Sequence, residues 1–226
     1  MSTSMCVRAA VSIGTYDIDA TEVTRGQYLA FLQAKGTNVT GQPAYCAWNT
    51  SYQPTSDWPP AVEDYDMPVS WVDWCDAYAY CAWAGRRLCG KIGGGPNGSN
   101  DFDNPALSQW MHACMGPSGT AYPYGNTFDS TRCNGPLSNN YGPVSVGKET
   151  NCVGGYPGLF DMSGNVWEWE DSCSGSTGAT DPCRERGSSY VQTRDDASGI
   201  FLRCDANNNN PRQSTDWSVG FRCCGG

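Results

Sequence analysis

The stretch Gly158-Leu159-Phe160-Asp161-Met162-Ser163-Gly164-Asn165-Val166-Trp167-Glu168-Trp169 decides how the rest of the chain is read. Asp161 and Glu168 bracket a Gly-Asn turn. Such a turn can curl so that two carboxylates and the carbonyls of Gly164 and Val166 converge. Hard cations such as calcium take that donor set, six to eight oxygens drawn from carboxylates and carbonyls. The same residues admit a plainer arrangement, in which Asp161 caps a turn and Glu168 pairs with an arginine. The local pattern leaves both open.

Outward from this segment, composition narrows the class. The 226 residues fit one domain with large loops, and no internal repeat or linker-like break divides them. Residues 1–226 are therefore read as a single domain, with 1–14 as a peripheral N-terminal segment. The 27 glycines and 14 prolines exceed average usage, while nine tryptophans and twelve tyrosines supply bulk. This mixture points to an aromatic core joined by long connections, and it argues against disorder. Thirteen cysteines are too many for an ordinary cytosolic chain. No Cys-x-x-Cys pair exists and His112 is the sole histidine, so a mixed His/Cys zinc site of the usual kind cannot be completed and disulfides are expected. The odd count leaves at least one thiol unpaired within a monomer.

The formal net charge of −9 makes nucleic acid a poor partner. No apolar run approaches the roughly 20 residues of a membrane span, so membrane insertion of this domain is not expected. The opening Met-Ser-Thr-Ser-Met lacks a signal-peptide apolar region. A disulfide-rich chain still requires export, so a secreted or cell-surface location is expected, reached through a leader absent from this sequence.

Three segments read as helical. The first follows Thr24, which with Gln27 forms a capping box before Tyr28, Leu29, Phe31 and Leu32. The second follows Ser70, with Asp73 three residues on, and runs through Trp74 and Cys81 to Gly85. The third opens with Asn104 as cap and Pro105 in the first turn. Beyond Gly116 short strands are expected at Gly187–Val191 and Val219–Cys223, and Asn207–Asn210 reads as an exposed turn.

Further blocks stand in order around the central segment: Ile18-Asp-Ala-Thr-Glu22-Val-Thr-Arg-Gly-Gln27-Tyr, Met67-Pro-Val-Ser-Trp71, Ala79-Tyr-Cys81-Ala-Trp-Ala-Gly-Arg-Arg-Leu88, Ala121-Tyr-Pro-Tyr-Gly125-Asn, Arg186-Gly-Ser-Ser-Tyr190 and Val219-Gly-Phe-Arg-Cys223. Together, over residues 15–224, they resemble the formylglycine-generating enzyme family, also called sulfatase-modifying factors. The resemblance implies an α+β domain of the type related to C-type lectin-like folds, loop-rich, with little regular secondary structure and stapled by disulfides. It implies structural calcium at Asp161, Gly164, Val166 and Glu168, whose chelation should lower the melting temperature. A second calcium site would fall near Asn134 and Gly135, with later ligands among Asn139, Asn140 and Tyr141, although that loop is shorter here than the family pattern.

The resemblance also implies the disulfides Cys81–Cys223 and Cys114–Cys204, each closing a loop worth about 4–5 kcal/mol in the chain-entropy model. Cys133–Cys152 and Cys173–Cys183 are paired because each closes a Gly-rich loop between family blocks. Cys6, Cys46, Cys75, Cys89 and Cys224 are left unassigned.

Oxidation in the family depends on two cysteines that bind copper as thiolates, the soft ligands Cu(I) requires. Counted from Arg186, their positions here are Gln192 and Ala197, so no copper is expected. The three-histidine iron site of a second enzymatic branch cannot be built around His112 alone, and no Gly-x-Ser-x-Gly motif supports a nucleophile. No catalytic residue is assigned.

What remains is a ligand-binding module whose face spans residues 190–217. Tyr190, Gln192, Arg194, Asn208, Asn210, Arg212 and Trp217 are its candidate contacts, the aromatic, amide and arginine groups that adaptable binding loops use. The ligand would be a protein, peptide or glycan. The alternatives are a retroelement-diversified variable binding protein and an oxidase-type enzyme of the same superfamily with a non-standard site.

Overall fold

The computed structural model describes residues 9–138, 140–191 and 198–226. Three short α-helices are found there: α1 (Arg25–Lys35), α2 (Trp74–Trp83) and α3 (Gln109–Met115). Thr24 caps α1 through the capping box with Gln27. The second helix begins later than its Ser70 signal, because Asp73 accepts the amide of Asp76 and Asp76 returns the bond. The third also starts late. Asn104 spends its side chain on the Ala106 amide in a local turn, and Ser108 is the cap, accepting the amide of Met111.

Two four-stranded sheets complete the fold. The first orders β1 (Ala10–Ser12), β2 (Asp17–Asp19), β8 (Cys223–Gly225) and β3 (Arg87–Leu88), all antiparallel. Part of the N-terminal segment is thus its edge strand. The second orders β6 (Asn207–Pro211), β5 (Pro182–Arg186), β4 (Trp167–Cys173) and β7 (Val219–Phe221), with β4 and β7 parallel. Two sequence expectations fail here. The strand lies at Pro182–Arg186, just before the Gly187–Val191 segment expected to form one, and the asparagine run is not a turn but edge strand β6, paired from Asn207↔Arg186 to Pro211↔Pro182. A polar edge gives the alternation reading nothing to detect, although charged and amide edges are what keep a sheet from growing.

Strand β4 organises the core. Its sequence Trp167-Glu168-Trp169-Glu170 sends both tryptophans to one face and both glutamates to the other, as a two-residue period demands. On the tryptophan face, Trp167, Trp169, Val219 and Phe221 join Tyr28, Phe31, Trp74 and Tyr80 of α1 and α2 in one buried cluster. On the glutamate face lie Trp110 and Met111 of α3, which pack with Ile18, Leu159 and Met162 in a second.

Six disulfides fasten these layers. Cys81–Cys223, Cys114–Cys204, Cys133–Cys152 and Cys173–Cys183 are among them. The other two, Cys46–Cys75 and Cys89–Cys224, join residues that spacing left unassigned. Adjacent Cys223 and Cys224 thereby pin the last strand to α2 and to the segment after β3. Cys6 lies outside the described residues. So many disulfides assign the chain to an oxidising compartment. Among the described residues no helix is long and apolar enough to cross a membrane.

Candidate functional site

Two places carry the residues the sequence singled out. The first is the floor of the Gly-Asn turn. Alternation buries Glu168 on the α3 side, where Trp110 Nε1 donates to Oε2 at 2.9 Å. Arg222, fully buried, grips the same carboxylate with two bonds, Nε to Oε2 and Nη2 to Oε1, both 2.7 Å. Its remaining hydrogens reach the carbonyls of Asp19, Phe160 and Asp161 at 3.0–3.2 Å. A planar guanidinium suits this ring of one carboxylate and three carbonyls because its fork is fixed. Glu170 repeats the device one step along, accepting from Ser108 Oγ at 2.6 Å and facing buried Arg186 at 3.4 Å.

As folded, the carboxylates expected to hold calcium already have protein partners. Both Glu168 oxygens are committed to Arg222 and Trp110, and Asp161 Oδ2 accepts the Gly147 amide at 2.6 Å. Among the described residues no three acidic, histidine or cysteine side chains gather as a metal-holding group. At the Asn134–Gly135 position the asparagine side chain is also spoken for. It donates to Gly142 O and Asn165 Oδ1 and accepts from Ser138 and Asn140, while Gly135 packs against Leu202. Asn139 lies outside the described residues, and Tyr141 stands out in solvent. The plainer arrangement, Glu168 paired with an arginine, is the one the geometry adopts. Excess EGTA should therefore leave the melting temperature unchanged. A fall of several degrees that added calcium reverses would reinstate the ion.

Asn165 is the residue the sequence reading overlooked here. Fully buried at φ 59°, it donates to Glu22 Oε1 and Val144 O and accepts from the Asn134 side chain and the Val144 amide. Burial, reinforced by the nearby Asp161 carboxylate, pushes the Glu22 carboxyl well up.

The second place is the face at residues 190–217. Trp217 is 47% exposed, and its ring meets Tyr190 edge-on with centroids 5.9 Å apart. Beneath them a cavity of about 260 Å³ is lined by Trp167, Glu185, Ser189, Asn208, Asn210 and Asp216, among others. Glu185, which the sequence reading missed, is 1% exposed and projects from β5 on the tryptophan face of the sheet. Asn208 Nδ2 donates to its Oε2 at 2.8 Å, and Asn210 Nδ2 reaches both oxygens at 3.0 Å. Burial, only partly offset by those amides, pushes its carboxyl up to about 7. The signal was present, since Cys183 and Glu185 alternate on one face of a strand, but a short strand rich in charge does not advertise its period.

Of the expected contacts, Tyr190 and Trp217 stand on this face. Asn208 and Asn210 line it with their amides turned onto Glu185. Arg212 does not belong to it. The side chain is 1% exposed and sandwiched against Tyr45 and Trp74, with guanidinium-to-centroid distances of 4.6 and 5.2 Å. It donates to Asp181 and to the carbonyls of Gly175 and Gly178. Arg212 follows the last residue of β6 and packs inward, away from the cavity lining, so this arginine is structural. Gln192 and Arg194 lie outside the described residues, as does Ala197.

Fold and site together define a disulfide-stapled α+β domain with buried arginine–glutamate pairs at its centre and an aromatic cavity at its rim. The model of the sulfatase-modifying factor enzyme 1-like domain matches residues 5–225, and the chain belongs to that family. It is 32% identical over 170 residues to the inactive C-alpha-formylglycine-generating enzyme 2 of Mus musculus, covering 71% of this chain and 50% of that protein. It is 31% identical over 183 residues to the formylglycine-generating enzyme of Thermomonospora curvata, covering 69% of this chain and 54% of the relative. The chain thus spans about half the length of these curated relatives. Among solved structures, Treponema denticola variable protein 1 shares the fold at a TM-score of 0.59 and 18% identity, over 96% of this chain and 91% of that one.

Proposed function

We propose that the chain is a non-catalytic binding module working outside the cell or on its surface, and that its recognition face is the Tyr190–Trp217 region above Glu185. The observation that carries this reading is a large aromatic residue, Trp217, left 47% exposed at the mouth of a polar-floored cavity. A side chain of that size stays in solvent at a cost unless something covers it, and tryptophan is enriched among interface anchors. Against redox chemistry stand the residues themselves. Gln192 and Ala197 occupy the copper-thiolate positions, and twelve of the thirteen cysteines are consumed in disulfides. One relative bears the name of an inactive enzyme, in keeping with a family scaffold that persists without chemistry.

A screen of purified protein against arrayed peptides and glycans is the direct test. For the ligand found, Trp217→Ala should weaken binding by about 2 kcal/mol, roughly thirtyfold, while the melting temperature barely moves. Undiminished affinity of that variant would move the recognition face elsewhere. Oxygen consumption by the unmodified protein on a cysteine peptide with added copper would end the non-catalytic reading.

A further inference from the structure

The buried carboxylates of the second sheet are treated in two different ways. Glu168 and Glu170, on one side of β4, each face a buried arginine. Glu185, on the opposite side of the same sheet, is equally buried but faces two neutral amides and a cavity. Among the described residues lining that cavity there is no lysine, arginine or histidine, and a second carboxylate, Asp216, stands at its wall. Among the described residues, Arg25 acts on Tyr190 and is itself 3.7 Å from Asp64.

Three amide bonds leave Glu185 Oε1 with acceptor capacity, since it takes one bond and each carboxylate oxygen has about two lone-pair sites. Around it the walls are Trp167 and Trp217, with Tyr190 edge-on to the latter. Aromatic faces attract cations, and an alkyl stem fills apolar space while its head reaches a carboxylate. A chain of net charge −9 also draws positively charged partners towards it.

We propose that this cavity takes the cationic side chain of a lysine or arginine presented by a protein partner. The head group would bond Glu185 at the floor with Asp216 beside it, and the stem would lie against Trp217. This rests on the binding-face reading and supplies the chemistry of its ligand.

Such a cation favours the ionised form of Glu185, a carboxyl that burial has pushed up to about 7. Affinity should therefore rise as pH passes from 6 to 8. Among the described residues, the groups facing Glu185 are the neutral Asn208 and Asn210 of β6, Trp169 paired with it on β4, and the carboxylate of Asp216, which opposes its ionisation.

Nα-acetyl-lysine N-methylamide and its arginine counterpart, titrated into the full chain by calorimetry or NMR, provide the test. Capped Nε-acetyl-lysine serves as the neutral control. At pH 8 at least one of the two cations should bind, the neutral control should bind at least about tenfold more weakly, and Glu185→Gln should lose a similar factor. Glutamine keeps an acceptor for the two asparagines and removes a buried charge, so this variant should fold; its melting curve is the check. Asp216→Asn, at the wall, should lose less and guards against a folding effect at 185. No binding of either cation at tens of millimolar overturns the proposal, and so does equal binding of the neutral control or full affinity in Glu185→Gln. A screened ligand whose binding falls with Trp217→Ala but not with Glu185→Gln would overturn the cation while leaving the binding face standing.

Discussion

Replacing Arg222 with methionine should lower stability by about 3–5 kcal/mol, because it strands a buried carboxylate. Glu168 would keep only the Trp110 bond, and the carbonyls of Asp19, Phe160 and Asp161 would lose their donor. For a chain of this length that corresponds to a fall in melting temperature of roughly 6–20 °C. Disulfides on the two following residues, Cys223 and Cys224, hold the strand in place, so the variant should still fold and the loss can be measured. Arg222→Lys should fall in between, since an ammonium keeps the charge but not the two-pronged grip on Glu168. The decisive comparison is with Glu168→Gln combined with Arg222→Met. Removing both charges leaves nothing ionised underground, and Trp110 can still donate to a glutamine. The double variant should therefore be more stable than Arg222→Met alone. Equal melting temperatures would mean that the pair is not an electrostatic unit, and the account of this centre would fail.

That centre also shows how far the sequence could be read. Asp161 and Glu168 both lie buried at this centre, and the pattern around them is specific enough to identify the family. What it did not decide was the cation. Carboxylate spacing describes acceptors, and an arginine 54 residues away in sequence competes for them as well as any ion; only tertiary structure brings Arg222 to Glu168. Helix starts slipped for a related reason. Asn104 and Ser70 are sound capping types, but Ser108 and Asp73 offer the same chemistry a few residues later, and packing of Trp110 and Trp74 selects between them. Arg212 and Glu185 show the same limit. The arginine looked like a surface contact and is walled in by Tyr45 and Trp74, whereas the glutamate, which the sequence did not single out, floors the cavity. Charged residues in a loop-rich chain carry no burial label, since the partners that permit burial come from distant segments.

The same buried carboxylates should make the protein less stable as pH rises from 5 to 7. Burial pushes Asp161 up to about 6 against the Gly147 amide and Arg222, and Glu185 up to about 7 against its two asparagine amides, while burial and then the Glu170 charge push Asp171 up to about 7. Burial raises Asp73 to about 7 as well, and Glu22, Asp76 and Glu170 move in the same direction. In the unfolded chain these groups ionise near pH 4. Between that value and about 7 the folded chain holds protons that the unfolded chain has released, so raising the pH favours unfolding. Thr177 and nearby amides hold Asp181 low, and its opposite contribution falls below about pH 4, outside this window. A net difference of even one proton from pH 5 to 7 amounts to about 2.7 kcal/mol, or roughly 5–11 °C in melting temperature. Melting temperatures measured at pH 5, 6 and 7 without reductant should therefore fall. Glu185→Gln and Asp73→Asn should each flatten the slope, because each removes one of the retained protons. A melting temperature that climbs steadily from pH 5 to 7 would show that these carboxyls are ionised in the folded chain, and the cations that permit it would have to be sought among their neighbours.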